Sequence, residues 1–200
     1  MTGVIDCGCP EHHSARRIVL TGGPGAGKTA VLALVKQSLC KHLRVLPEAA
    51  GILFGGGFPR DERPEALRAA QRAIYFVQRE LEAATAGAGI AVALCDRGTI
   101  DGAAYWPGPE ALWDVVGTTL DAELARYTAV IHLRTPAAEM GYDHSNPLRI
   151  ETAVEARAVD ERIAMAWARH PRRFEIPPAS SFLAKAARAI EILRAELPDC

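Results

Sequence analysis

The sequence has no apolar run long enough to cross a membrane, and its opening stretch, MTGVIDCGCPEHHSARR, has neither the basic start nor the apolar middle of a secretion signal. A cytoplasmic location is therefore expected. Charge of either sign is not in excess: 23 lysines and arginines face 24 aspartates and glutamates, a net charge of −1. That balance lacks the basic footprint of a nucleic-acid binder and the polybasic patch of a membrane-surface protein, so neither partner is expected. Internal repeats and low-complexity tracts are missing too. The 5 cysteines are an odd number and read as reduced thiols, with Cys40 and Cys95 on apolar faces where sulfur packs as a small hydrophobe. Cys7, Cys9, His12 and His13 crowd soft ligands together, but C-x-C followed by adjacent histidines strains a tetrahedral zinc site. Residues 1–15 are accordingly read as a flexible leader, and 16–200 as a single domain able to bury its own core.

Within that domain stands GGPGAGKT, residues 22–29. A backbone without β-carbons can wrap an anion and aim its N–H groups inward, and the stretch matches G-x-x-x-x-G-K-[ST] at every fixed position. RIVLTG (17–22) before it reads as a buried strand, and KTAVLALVKQSLCKHL (28–43) after it as a helix, which is the order a phosphate loop requires. Gly22, Gly23, Pro24, Gly25, Ala26, Gly27, Lys28, Thr29 and Ala30 form the expected nucleotide-binding set. Lys28 would reach the β/γ-phosphates, and Thr29 would offer its hydroxyl to Mg²⁺.

Further along, LRVLPEAA (43–50) reads as a short strand ending at Glu48, and the glycine-rich GILFGGGFPRDERP (51–64) as a mobile loop. From Pro64 to about Ala84, Leu67, Ala70, Ile74, Val77 and Leu81 recur at helical spacing, with Gln71, Gln78 and Glu82 on the other face. GIAVALCDRGTIDG (89–102) is a buried strand ending in Asp96, TAVIHLRT (128–135) a fourth strand, and RRFEIPP (172–178) a fifth. Strands alternating with helices predict an open α/β sheet with ligands at the carboxyl ends of its strands. Lys28, Thr29, Glu48, Asp96 and Arg134 all fall at that edge.

Mg²⁺ takes hard oxygen ligands and keeps several waters, so Thr29 and Asp96 are the expected metal ligands beside nucleotide phosphates. The residue after Asp96 is Arg97, where a mechanical ATPase would carry an acid to activate water. An arginine there suits phosphoryl transfer to an acceptor. No N-K-x-D guanine-reading signature is present. Glu48 is placed to accept a proton from an acceptor hydroxyl, or is a solvated carboxylate beside a loop. The segment 135–165 reads as a lid, turn-rich and then helical, with Arg149, Arg157 and Arg162 available to close over phosphate. Surface pairing with Glu155, Asp160 and Glu161 is the other reading of that helix. Tyr105 and Trp106 either wall a ring-shaped substrate or pack in the core, and Asp101 either binds an acceptor hydroxyl or caps its turn.

Together these residues resemble the P-loop kinase group. DRG at 96–98 is similar to the D-R-x motif of thymidylate kinases and the E-R-S motif of deoxynucleoside kinases, and Glu48 matches in position the base of the latter. More closely, GGPGAGKT, PEAA, QRAIYFVQRELE, CDRGTIDGAAYW, NPLRIE and FLAKAARAIEIL resemble a family of predicted AAA-type ATPases related to the nicotinamide riboside kinase domain, over nearly the whole chain after Ser14. The resemblance implies a three-layer P-loop fold with a five-stranded parallel sheet of order 2-3-1-4-5, and nucleotide binding. It also implies phosphoryl transfer to a nucleoside-like alcohol, although some members resemble nucleotide-dependent regulators with lipid ligands. PPASS (177–181) lies where that group holds adenine.

The expected activity is that of an ATP- and Mg²⁺-dependent small-molecule kinase, with Lys28, Glu48, Asp96, Arg97 and Arg149 as catalytic residues and a small-molecule acceptor as partner. The alternative is a nucleotide-dependent regulatory switch without phosphotransfer. A homodimer is left open.

Overall fold

The computed structural model describes residues 13, 15–136, 152–178 and 182–197. Cys7, Cys9 and His12, residues 137–151 including Arg149, and residues 179–181 of the PPASS stretch lie outside them.

Strand β1 (Arg16–Thr21) leads through the glycine loop into helix α1 (Lys28–Ser38), and β2 (Leu43–Leu46) follows. Helices α2 (Ala49–Gly55) and α3 (Pro64–Ala83) precede β3 (Val92–Asp96), a 3₁₀ helix (Thr99–Ala104), α4 (Leu112–Val116), α5 (Leu120–Leu124) and β4 (Ala129–Leu133). Helix α6 (Ala153–Ala166), β5 (Arg173–Ile176) and α7 (Phe182–Glu196) complete the chain. The strands form a five-stranded sheet of order β2-β3-β1-β4-β5 in which every neighbouring pair is parallel. All strand ends that carry expected site residues therefore open on one edge.

Alternation along the strands divides the core into layers. Ile18 and Leu20 of β1 pack with Val31, Leu32 and Val35 of α1 and with Ala189 and Leu193 of α7. Val19, facing the other way, joins Ala93, Cys95, Ile100, Trp113 and the fully buried Trp167. Among the described residues no helix is long and apolar enough to cross a membrane.

Three sequence expectations are corrected. Helix α1 ends at Ser38 rather than running to 43, because Leu39 turns extended and drops into the core. The glycine-rich stretch opens as helix α2, held by backbone bonds such as Ile52 N–H to the Glu48 carbonyl and Gly56 N–H to the Ile52 carbonyl. Glycine's propensity penalty of about 1 kcal/mol per residue is offset there by tertiary context. The face of α3 is also turned: Gln71, Tyr75, Gln78 and Glu82 are buried with Ala70, while Leu67, Ile74, Val77 and Leu81 are only partly covered.

The reason for that turn is a buried charge network. Glu82, fully buried, accepts from Tyr127 OH at 2.8 Å, from Gln78 Nε2 at 2.8 Å and from Arg126, and has Arg17 at 3.6 Å. Glu123 receives Tyr75 OH at 2.8 Å, Thr99 Oγ1 at 2.7 Å and Arg126 Nη1 at 2.7 Å. A carboxylate this well partnered tolerates burial, whereas removing one partner strands the rest. Glu82→Ala is expected to lose about 3–5 kcal/mol in urea unfolding. Arg188→Ala, which breaks only the exposed Arg188–Glu191 pair, should stay within about 1 kcal/mol. Equal losses would show that the network does not hold α3 in place.

Candidate functional site

The phosphate loop turns sharply as it leaves β1. Gly22 has φ 140°, and a β-carbon there would run into the Leu133 carbonyl oxygen of β4, so only glycine fits. Gly27 precedes α1 without any side-chain cap, and the first turn of α1 carries no acid. The helix therefore presents open N–H groups and its positive dipole end to the loop, the standard physical basis of an anion site. Lys28 folds back to donate from Nζ to the Gly22 carbonyl at 2.8 Å and the Gly23 carbonyl at 3.1 Å. Burial and the nearby Arg97 lower its ammonium to about 8, a shift that an anion in the loop would oppose.

A cavity of about 830 Å³ opens beside this loop. Lys28, Thr29, Glu48, Asp96 and Arg97 all line it, so the structure brings together the loop and the carboxylates from the ends of β2 and β3. The far wall comes from α2, α3 and the 3₁₀ helix, with Phe54, Gln71, Ile74, Tyr75, Gln78, Tyr105 and Trp106. Tyr105 and Trp106 line the cavity and also pack against the core, so both of their readings stay open.

The carboxylates at the near end are set differently. Asp96 is pushed up to about 6, by burial first and by Glu48, against the pull of Lys28. Its Oδ1 is buried without a hydrogen-bond partner among the described residues. A desolvated, unpartnered carboxylate oxygen is costly unless a cation takes it up, so this donor, with the exposed Thr29 hydroxyl at the head of α1, fits a divalent cation such as Mg²⁺. Glu48 is raised by burial but pulled back further by Arg97 and Lys28, and ends below the usual glutamate range. It is an ionised acceptor at neutral pH.

Arg97 joins these groups. Its Nε donates to Glu48 Oε1 at 2.9 Å, its Nη1 donates to the Gly22 carbonyl at 3.0 Å, and Asp101 lies 3.6 Å away. Arg97 has φ 77°, a left-handed conformation that costs about 1 kcal/mol or more for a residue with a β-carbon. The three contacts hold it there. Asp101 is buried, receives Gly98 N–H at 2.8 Å and bonds the Thr21 hydroxyl, so it caps the turn, and it also lines the cavity.

Two other expectations resolve at α6. Arg134, expected at the site edge, does not line the cavity; its guanidinium pairs with Asp160 at 3.0 Å and with Glu161. Arg162 turns inward, donating from Nε to the Ala104 carbonyl at 2.7 Å and lining the cavity, whereas Arg157 is exposed. Helix α6 itself is packed into the core through Ala156, Val159 and Ile163. Gln71, Gln78, Tyr75 and Arg60 also line the cavity and were not singled out as site residues from sequence; a polar stripe at helical spacing on α3 is the signal that pointed to the first two.

A parallel sheet of this order with a glycine loop leading into α1 defines a P-loop NTPase fold of the kinase arrangement. Residues 17–184 match the family model described as AAA domain, and the chain belongs to that family. No curated protein sequence matches it. Among solved structures it is similar to thymidylate kinase from Candida albicans, with TM-score 0.63 and 13% identity over 91% of this chain and 92% of that one. It is also similar to deoxyadenosine kinase from M. mycoides with bound dATP, with TM-score 0.60 and 11% identity over 90% of this chain and 99% of that one.

The Asp96 environment carries a stability consequence. Its carboxyl titrates near 6 in the folded chain, above the ordinary 3.8, so the folded state holds an extra proton between those values. The associated stability is present at low pH and lost as pH rises through about 6. Asp96→Asn has no charge to desolvate and is expected to raise the Tm of the metal- and nucleotide-free protein at pH 7.5 by about 2–6 °C, and by less at pH 5. Scanning calorimetry at the two pH values tests this; an unchanged or lower Tm at pH 7.5 contradicts it.

Proposed function

We propose that this protein is an ATP-dependent small-molecule kinase that transfers the γ-phosphoryl group to a hydroxyl of a nucleoside-like or similar small acceptor. The observation that carries the reading is the cavity, in which a phosphate loop, an unpartnered aspartate and an ionised glutamate meet at one end of a space large enough for a second small molecule. A protein that only bound nucleotide would need the loop but not that chamber.

In this reading the loop's N–H groups and Lys28 grip the β- and γ-phosphates of the nucleotide. Mg²⁺, held by Thr29 and Asp96, would supply charge neutralisation at the phosphates. Arg97, anchored through the Gly22 carbonyl, is placed to offset charge developing on the transferred group. Glu48 accepts the hydrogen bond of the acceptor hydroxyl and takes its proton as the O–P bond forms, while the γ-phosphoryl leaves ADP. Its low proton affinity matches a loose transition state, in which the hydroxyl loses its proton late. Gln71 and Gln78 with the aromatic walls orient a flat acceptor, and Arg149, outside the described residues, would supply a further cation to the phosphates.

The test is ADP release from MgATP across a panel of nucleosides, ribosides, sugars and amino-alcohols, with product mass. One acceptor class is expected to raise turnover well above the background without acceptor. Glu48→Gln should then lower kcat about 10²–10⁴-fold while leaving nucleotide affinity within about twofold. A flat panel with tight nucleotide binding would instead favour a nucleotide-dependent switch.

A further inference from the structure

The outer side of the phosphate loop is bonded to elements that the proposed reaction does not use. Asp160 of α6, 2% exposed, accepts the Gly23 N–H at 2.8 Å on Oδ1. The same oxygen lies 2.9 Å from His132 Nε2, and Oδ2 lies 3.0 Å from Arg134 Nε. His132 is fully buried at the end of β4, and its other ring nitrogen has no partner among the described residues. The packing is too close for any side chain at position 23: a β-carbon on Gly23 would lie 2.8 Å from Asp160 Cβ, 2.8 Å from the Ala156 carbonyl oxygen and 2.6 Å from Thr135 Oγ1. Two further side chains, Thr135 and Lys185, fasten the loop through its carbonyls. Thr135 Oγ1 donates to the Pro24 carbonyl at 3.2 Å, and Lys185 Nζ donates to the Ala26 carbonyl at 2.9 Å and to the Arg134 carbonyl at 2.6 Å.

Arg134 and Thr135 begin the segment that leaves β4, and Asp160 lies on the helix where that segment returns to the core. Both roots of the segment are therefore bonded to the loop. Of the described side chains that fasten it from this side, Asp160 alone is an anion, and it alone takes a loop N–H. It also sits two residues from Arg162, which reaches the acceptor cavity through the Ala104 carbonyl.

We propose that Asp160 is a positioning residue for nucleotide binding: its buried carboxylate ties the phosphate loop at Gly23 to α6 and to the end of β4, and so holds the loop in the form that grips phosphate. The inference rests on the nucleotide-binding part of the kinase reading and not on phosphoryl transfer. Losing the carboxylate leaves the Gly23 N–H buried without an acceptor and Arg134 with Glu161 as its remaining acid partner, so the loop loses its outer anchor before any phosphate arrives.

Calorimetric titration of MgATP into the full chain tests this, well below each variant's Tm. Asp160→Ala is expected to weaken binding at least about tenfold, and Asp160→Asn, whose amide oxygen can still accept the Gly23 N–H, by about threefold. Val159→Ala serves as the control, because Val159 is a buried neighbour on α6 that makes none of these bonds. It should lower stability yet bind within about twofold of the native chain. Native affinity in Asp160→Ala, or equal weakening in Val159→Ala, overturns the assignment. Should Asp160→Ala fail to fold, Asp160→Asn decides: native affinity in it refutes the proposal, and its failure to fold assigns the carboxylate to the fold alone and refutes the proposal as well. A native chain that binds no MgATP refutes the nucleotide reading itself, a result distinct from any of these.

Discussion

A loop that binds an anion through its backbone N–H groups cannot be held in place by those same groups, and the rest of this structure follows from that constraint. The loop is secured mainly by its carbonyls. Lys28 takes those of Gly22 and Gly23, Arg97 takes Gly22 as well, Thr135 takes Pro24 and Lys185 takes Ala26. Lys28 heads α1, Lys185 lies on α7, and Arg97 and Thr135 follow the ends of β3 and β4, so four parts of the fold converge on one turn. Gly23, bonded by its N–H to Asp160, is the exception, and it marks where the loop meets α6.

The buried charges divide by how completely they are partnered. Glu82 and Glu123 are saturated with donors from Tyr, Thr, Gln and Arg side chains, which is the arrangement that lets a carboxylate rest in a core. Asp96 is nearly as secluded but has an oxygen with no donor among the described residues, and burial raises its proton affinity. The first arrangement holds a fold together; the second waits for a ligand. Arg97 stands between them, left-handed in its backbone yet fixed at Glu48 and Gly22, so that strain sits beside the phosphate loop.

Much of this was legible in sequence wherever the pattern was local. The glycine loop, the five strands and the carboxylates at strand ends are encoded in short runs whose meaning does not depend on distant residues, and the sheet order followed from a resemblance carried by such runs. What escaped depends on partners far along the chain. The inward face of α3 is polar because Arg126 and Tyr127, more than forty positions away, supply its charges and donors. Asp160 looked like one of several surface acids on an amphipathic helix, and only the approach of β4 and the loop shows it buried. Helix α2 was hidden by glycines whose propensity argues for a loop.

The account stands first on phosphate in the loop, and the most direct measurement is the affinity of native protein and Lys28→Ala for MgATP, by calorimetry at neutral pH. It predicts one nucleotide bound per native chain, and a loss of at least about tenfold when the loop's only cationic side chain is removed. No binding to the native chain, or affinity unchanged in Lys28→Ala, would contradict it.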